Sequence, residues 1–126
     1  MASIDEWHYA DSEKIVRIVY DDLFDSPAIY LNCSYDGAFI SISSSLQMSD
    51  ILGIIQALSS ILQDGTGVFE FGDVTRYWTI SPSGDGIMVA SGSSNGSLVK
   101  MDVPRKHAEA LANALENRWG VSRCRR

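Results

Sequence analysis

The sequence is short of the groups on which most site chemistry depends. It has two histidines and two cysteines in 126 residues. Neither His8 nor His107 has a second His or a Cys at ligand spacing, so no metal site is expected. There is no G-x-S-x-G nucleophile elbow, and no lysine follows any glycine cluster as a phosphate-binding loop requires. "DGTG" at 64–67 has one glycine too many for an aspartic-protease motif and serves as a helix stop. Glu70, Asp73 and Asp85 offer carboxylate pairs, but among sixteen acids some pair is always available, so the pairing carries no information. We therefore expect a chain that is not an enzyme and takes no cofactor. No run approaches the roughly 18 apolar residues of a membrane span. The opening "MASIDEWHYADSEK" lacks the basic start and apolar run of a signal peptide, and the expected compartment is the cytoplasm. Cys33, in a strand-like stretch, and Cys124, in a basic tail, are expected to be free thiols there.

What the sequence does have is ordinary globular composition, 45% hydrophobic and 21% charged, with a net charge of −6. The charge is uneven. Asp5, Glu6, Asp11, Glu13, Asp21, Asp22, Asp25 and Asp36 face only Lys14 and Arg17 in the first 36 residues, while Arg118, Arg123, Arg125 and Arg126 end the chain. An acidic body repels phosphates, so direct nucleic-acid binding is not expected. The same field favours a basic protein partner; alternatively, it only maintains solubility.

Two-residue alternation and β-branched runs mark about seven strands: 14–20, 28–34, 38–46, 67–73, 76–82, 86–91 and 97–103. "YDG" at 35–37 is a hairpin signal. In "AFISISSSL", Ala38, Ile40 and Ile42 fall on one face and Phe39, Ser41 and Ser43 on the other. "MSDILGIIQALSSILQDG" sets Ile51, Ile54, Ile55, Leu58, Ile61 and Leu62 on one helical stripe, with Ser49 as N-cap and Gly65 as stop. The Ile40/Ile42 face is its expected seat. A second helix spans 104–119, with Pro104 in its first turn, the stripe Ala108, Leu111, Ala112, Leu115 and Trp119, and Gly120 just past its end. At an offset of 57, Ala57-Leu58 falls on Ala114-Leu115, Leu46 on Val103 and Ile42 on Val99. The expected architecture is one α+β domain over 1–126, with two helices on one face of antiparallel sheet and two consecutive strands-then-helix units. Residues 1–12 form an acidic N-terminal arm and 120–126 a basic tail. Tandem units of this kind resemble the Whirly-like folds that bind single-stranded DNA, an activity the acidic charge argues against here.

The glycine- and serine-rich stretch "SPSGDGIMVASGSSNGS" (81–97) reads as two turns around one strand. No helix N-terminus or lysine follows its glycines, as a phosphate cradle would need. Two other regions draw attention. "DDLFDS" (21–26) rings Leu23 and Phe24 with Asp21, Asp22 and Asp25, an anchor-and-rim composition. Tyr77 and Trp78 are strand neighbours, so one of them faces away from the core.

In size, charge and the acidic-apolar stretches "DDLFDS" and "FEFGD", the chain resembles the small acidic immunity proteins of bacterial toxin–immunity systems. That resemblance implies a non-catalytic inhibitor that neutralises a basic toxin or nuclease. The partner-binding residues are then expected among Asp21, Asp22, Leu23, Phe24, Asp25, Glu70, Asp73, Tyr77 and Trp78. Phage-encoded inhibitors of host defence share the same features. A small-ligand domain, with Glu70, Arg76 and Tyr77 converging on a pocket between helix and sheet, and a homodimer through edge strands are the other readings.

Overall fold

The computed structural model describes residues 6–21, 26–35, 37–94, 96 and 98–119. The run "KIVRIVY" forms β2 (Lys14–Asp21), paired antiparallel to β1 (Glu6–Ala10) and β3 (Ser26–Tyr35). β4 (Ala38–Ser45) completes a four-stranded meander in the order β1-β2-β3-β4. The β1–β2 turn is built by Asp11, whose Oδ1 accepts the backbone N–H groups of Glu13 (2.8 Å) and Lys14 (2.7 Å). At the β3–β4 turn, Gly37 takes φ 79°, as the Asp-Gly pair predicted.

After α1 (Met48–Asp64) the pattern repeats. β5 (Phe69–Gly72), β6 (Tyr77–Ser83), β7 (Gly86–Gly92) and β8 (Leu98–Val103) form a second antiparallel meander, followed by α2 (Arg105–Trp119). The α+β class and the consecutive strands-then-helix units are thus as expected. The sheet count is not: the described residues form eight strands in two sheets of four, rather than about seven. The strand missed is β1, within the segment expected to be an acidic arm. Its alternation is carried by only two aromatics, Trp7 and Tyr9, between polar neighbours. Residues 1–5 and 120–126 lie outside the described residues.

Both helix starts also differ from expectation. Gln47, not Ser49, caps α1: its carbonyl accepts from the N–H groups of Asp50 and Ile51, and its own N–H donates to the Asp50 carboxylate at 2.8 Å. Asp50 thereby closes a capping box and brings the start forward. Pro104 stands before α2 rather than in its first turn, its carbonyl accepting from His107 and Ala108. Gly65 ends α1 as expected, at φ 74°, with its N–H on the Ile61 carbonyl.

The two halves share one core. Trp7, Val16, Ile18, Ile29, Leu31 and Ile42 point inward from the first sheet, and Phe71, Trp78, Ile80, Val89 and Met101 from the second. The predicted stripe of α1 is buried in full, and Ala108, Leu111, Ala112 and Leu115 of α2 pack with it. At the offset of 57, Ile51 matches Ala108, Ile54 matches Leu111, Ile55 matches Ala112 and Leu58 matches Leu115, and all eight are buried.

The helices cross between the units. α1 approaches β5, β6 and β7 of the second sheet, whereas α2 approaches β1 and β7. The expected seat of α1 is therefore corrected: Ile42 is buried, but Ile40 is exposed, and α1 reaches over to the sheet that follows it. Gly53 shows how close that approach is, because a Cβ there would overlap the ring of Phe69. Polar bonds tie the same seams. Trp7 Nε1–H donates to the His107 carbonyl (3.2 Å), Arg105 Nη2 to the Leu62 carbonyl (2.6 Å), and Trp78 Nε1–H to Ser44 Oγ (2.8 Å). Each sheet leaves an outer face uncovered by either helix.

Candidate functional site

The outer face of the first sheet follows directly from its register. One row across the strands is His8, Arg17, Tyr30 and Ser43; the next is Ala10, Ile15, Asn32 and Ser41. Val19, Ala28 and Ser45 lie to one side of these rows, and Ser34 and Phe39 to the other. The Arg17 guanidinium sits over the Tyr30 ring, with Cζ 5.4 Å from its centroid. Ser41 Oγ–H donates to Asn32 Oδ1 at 2.7 Å. Phe39 is 69% exposed, unusual for so large an apolar side chain.

This face differs from the molecule's average. By register it carries an arginine, a histidine, two aromatics, an amide and several serines, together with the acids Glu6 and Asp21. The acids whose register meets it, Glu6 and Asp21, stand at the outermost pairs of their strands. Asp11, Glu13, Asp64, Asp73 and Asp85 all lie in turns or at a helix end.

The second sheet presents Glu70, Thr79, Ala90 and Lys100 in one row and Gly72, Tyr77, Gly92 and Leu98 in the next. Tyr77 lies across Gly92, whose missing Cβ makes the room. Val74 (77%), Leu98 (54%) and Tyr77 (42%) are exposed together on this side. Of the aromatic pair, Tyr77 faces outward and Trp78 is fully buried. Trp78 is thus a core residue and cannot contact a partner.

The other sequence-predicted residues separate. Asp21 ends β2, while Asp22, Leu23, Phe24 and Asp25 lie outside the described residues. Glu70 is exposed on β5. Asp73 is committed to its turn: its Oδ1 accepts Thr75 Oγ1–H (2.6 Å), Thr75 N–H (2.9 Å) and Arg76 N–H (3.1 Å). These bonds, the Thr75 hydroxyl first, hold its carboxyl below the usual 3.8.

Two hollows flank this turn. One, about 470 Å³, lies between the end of β4 and the β5–β6 turn, lined by Ser44, Gln47, Asp50, Asp73 and Arg76 among others. Its polar groups are largely engaged, since Ser44 holds Trp78, Asp50 holds Gln47 and Asp73 holds the turn. The other, about 370 Å³, is an open depression beside Glu70, Val74 and Tyr77. In these two hollows Glu70, Arg76 and Tyr77 do not converge: Arg76 lines the first, and Glu70 and Tyr77 the second. Among the described residues no group of three or more His, Cys, Asp or Glu could hold a metal ion. No described helix is long and apolar enough to cross a membrane.

No family model and no curated protein matches the sequence. Solved structures do match in fold. The Trypanosoma bruciei MRP1/MRP2 structure aligns with TM-score 0.64 at 10% identity, over 91% of this chain and 84% of that one. A guide-RNA-binding protein complex bound to a gRNA aligns with TM-score 0.64 at 11% identity, over 95% of this chain and 92% of that one. At such identity the likeness is one of fold. It nevertheless corrects the expectation that nucleic acid is excluded as a partner, because the same architecture carries RNA in the second structure. The exclusion had rested on net charge alone.

The alternation of Phe39, Ser41 and Ser43 was legible, but its partners were not. Arg17 and Tyr30 join that face only once β2, β3 and β4 are set in register.

Proposed function

We propose that the chain is a non-catalytic binding protein that holds single-stranded nucleic acid, RNA in the first instance, on the outer face of its first sheet. The observation that carries the reading is the Arg17 guanidinium lying over the Tyr30 ring on that outer face. Single strands expose bases that stack on aromatic and guanidinium planes, while hydroxyl and amide groups bond sugar, phosphate and base edges. Tyr30, Arg17, Phe39, Asn32 and the serines supply these groups in two adjacent rows. The fold shared with a gRNA-bound complex supports the same reading. Binding on such a face depends on stacking more than on counterion release, so a shallow salt dependence is expected. Fluorescence anisotropy with a labelled single-stranded RNA tests this: saturable binding by the wild type and its loss in Arg17→Ala/Tyr30→Ala support it, and equal binding by both overturns it.

One observation favours a second reading, an inhibitor that works by protein contact. Val74, Tyr77 and Leu98 expose apolar surface next to Glu70 on the second sheet, and apolar anchors rimmed by polar groups suit protein interfaces. Recovery of a stoichiometric protein partner that Tyr77→Ala fails to retain would support this reading over the first.

A further inference from the structure

Each sheet has two edge strands. An edge carries unpaired N–H and C=O groups and is open to pairing with another chain unless charge, proline, brevity or a cover blunts it. Three of the four are blunted. β1 has five residues, carries Glu6 and lies against α2. β5 has only four and carries Glu70, and β8 carries Lys100 and Asp102. β4 is different. It runs for eight residues, "AFISISSS", without a charge, a proline or a glycine. All of it except Ile42 and Ser44 is exposed, Phe39 and Ile40 (44%) included.

The register decides which of its backbone groups face outward. Leu46 N–H donates to the Pro27 carbonyl. By antiparallel alternation Ser44, Ile42, Ile40 and Ala38 then exchange their bonds with β3. The N–H and C=O groups of Phe39, Ser41, Ser43 and Ser45 therefore point away from the sheet. Charge says what suits this edge. A basic partner finds no carboxylate on it, whereas a second chain of net charge −6 meets no like charge there.

We infer that two copies of the chain pair antiparallel through β4 about a two-fold axis, joining their four-stranded first sheets into one. Only the outward residues can exchange bonds, which restricts the pairing. The alignment with the longest overlap sets Ile42 against the same residue of the second copy on the axis. Ser41 then faces Ser43, and Phe39 faces Ser45. The outer faces of the two copies become continuous. This inference goes beyond the nucleic-acid reading and does not rest on it.

Sedimentation equilibrium of the full chain, without nucleic acid, tests the pairing. Wild type is expected to reach twice the chain mass at high concentration and to dissociate on dilution. Ser43→Pro removes an outward N–H and no bond within the sheet, so it should give a monomer, with thermal unfolding as the folding control. Ser41→Lys/Ser43→Lys and Ser41→Glu/Ser43→Glu each set like charges across the axis. Each alone should be monomeric, and an equimolar mixture of the two should recover the dimer. These positions are exposed, so the charged variants decide the matter even where the proline variant fails to fold. A monomeric wild type overturns the inference, as does a dimer that persists in the separate charged variants or a mixture that stays monomeric. All three results leave the nucleic-acid reading in place, because that face is complete within one chain.

Discussion

The Arg17 guanidinium lies over the Tyr30 ring, Cζ 5.4 Å from its centroid, at the centre of a row that runs from His8 on one edge strand to Ser43 on the other. Both side chains are half-buried, so their removal costs packing as well as the cation–π contact. Stacking of a base on such a platform contributes about 1–3 kcal/mol. Tyr30→Ala should therefore weaken single-strand binding by roughly tenfold, as checked by anisotropy, with thermal melts on the same sample as the folding control.

The bond from Trp78 Nε1–H to Ser44 Oγ, 2.8 Å, joins the second sheet to the first across the core. Ser44→Ala leaves that indole N–H without its partner and should cost about 1–3 kcal/mol. Trp78→Ala also opens a cavity and should cost about 3–5 kcal/mol. Urea denaturation distinguishes the two, and a single cooperative transition is expected because both sheets and both helices share one cluster.

Gly53 faces the Phe69 ring across the α1–β5 contact. Alanine is about 1 kcal/mol better than glycine in a helix interior, but here its methyl group has no space. Gly53→Ala is expected to destabilise by about 1–3 kcal/mol through overpacking. Combined with Phe69→Leu, part of that loss should be recovered, and a double-mutant cycle measures the coupling.

Asp73 has a carboxyl held below its ordinary 3.8 by the Thr75 hydroxyl and by the N–H groups of Arg76 and Thr75. Asp11 is lowered likewise, by the N–H groups of Glu13 and Lys14. A carboxyl whose pKa falls on folding stabilises the fold above its unfolded value, and this is lost as pH drops through the folded one. The stability gap between wild type and Asp73→Ala should be full near neutral pH and shrink below about pH 4. Chemical denaturation at a series of pH values tests the sign.

The features read correctly from sequence are those that local periodicity encodes. The α1 stripe from Ile51 to Leu62 is buried residue for residue, and Asp36-Gly37 marks its hairpin. The match of Ile54 to Leu111 and Leu58 to Leu115 reflects the repeated unit. The division into two sheets was not legible, since nothing local in β4 or β5 says that the intervening helix separates their hydrogen-bond ladders. β1 was hidden because Trp7 and Tyr9 alternate over too few residues. The candidate face was missed for a different reason: composition averages over the surface, whereas strand alternation concentrates Arg17, Tyr30 and Asn32 on one side and leaves many acids in the turns. Of the residues singled out in advance, Trp78 proved to be core and Asp73 a turn former, and Asp22–Asp25 lie outside the described residues.

The central claim is that the first sheet's outer face holds a single strand. Its most direct test is an amide chemical-shift titration of the 15N-labelled protein with single-stranded RNA. The account predicts saturable shifts at His8, Arg17, Tyr30, Asn32, Phe39, Ser41 and Ser43, with little change at Val74, Tyr77 and Leu98. Shifts confined to the second sheet, or no shifts at all, would contradict it.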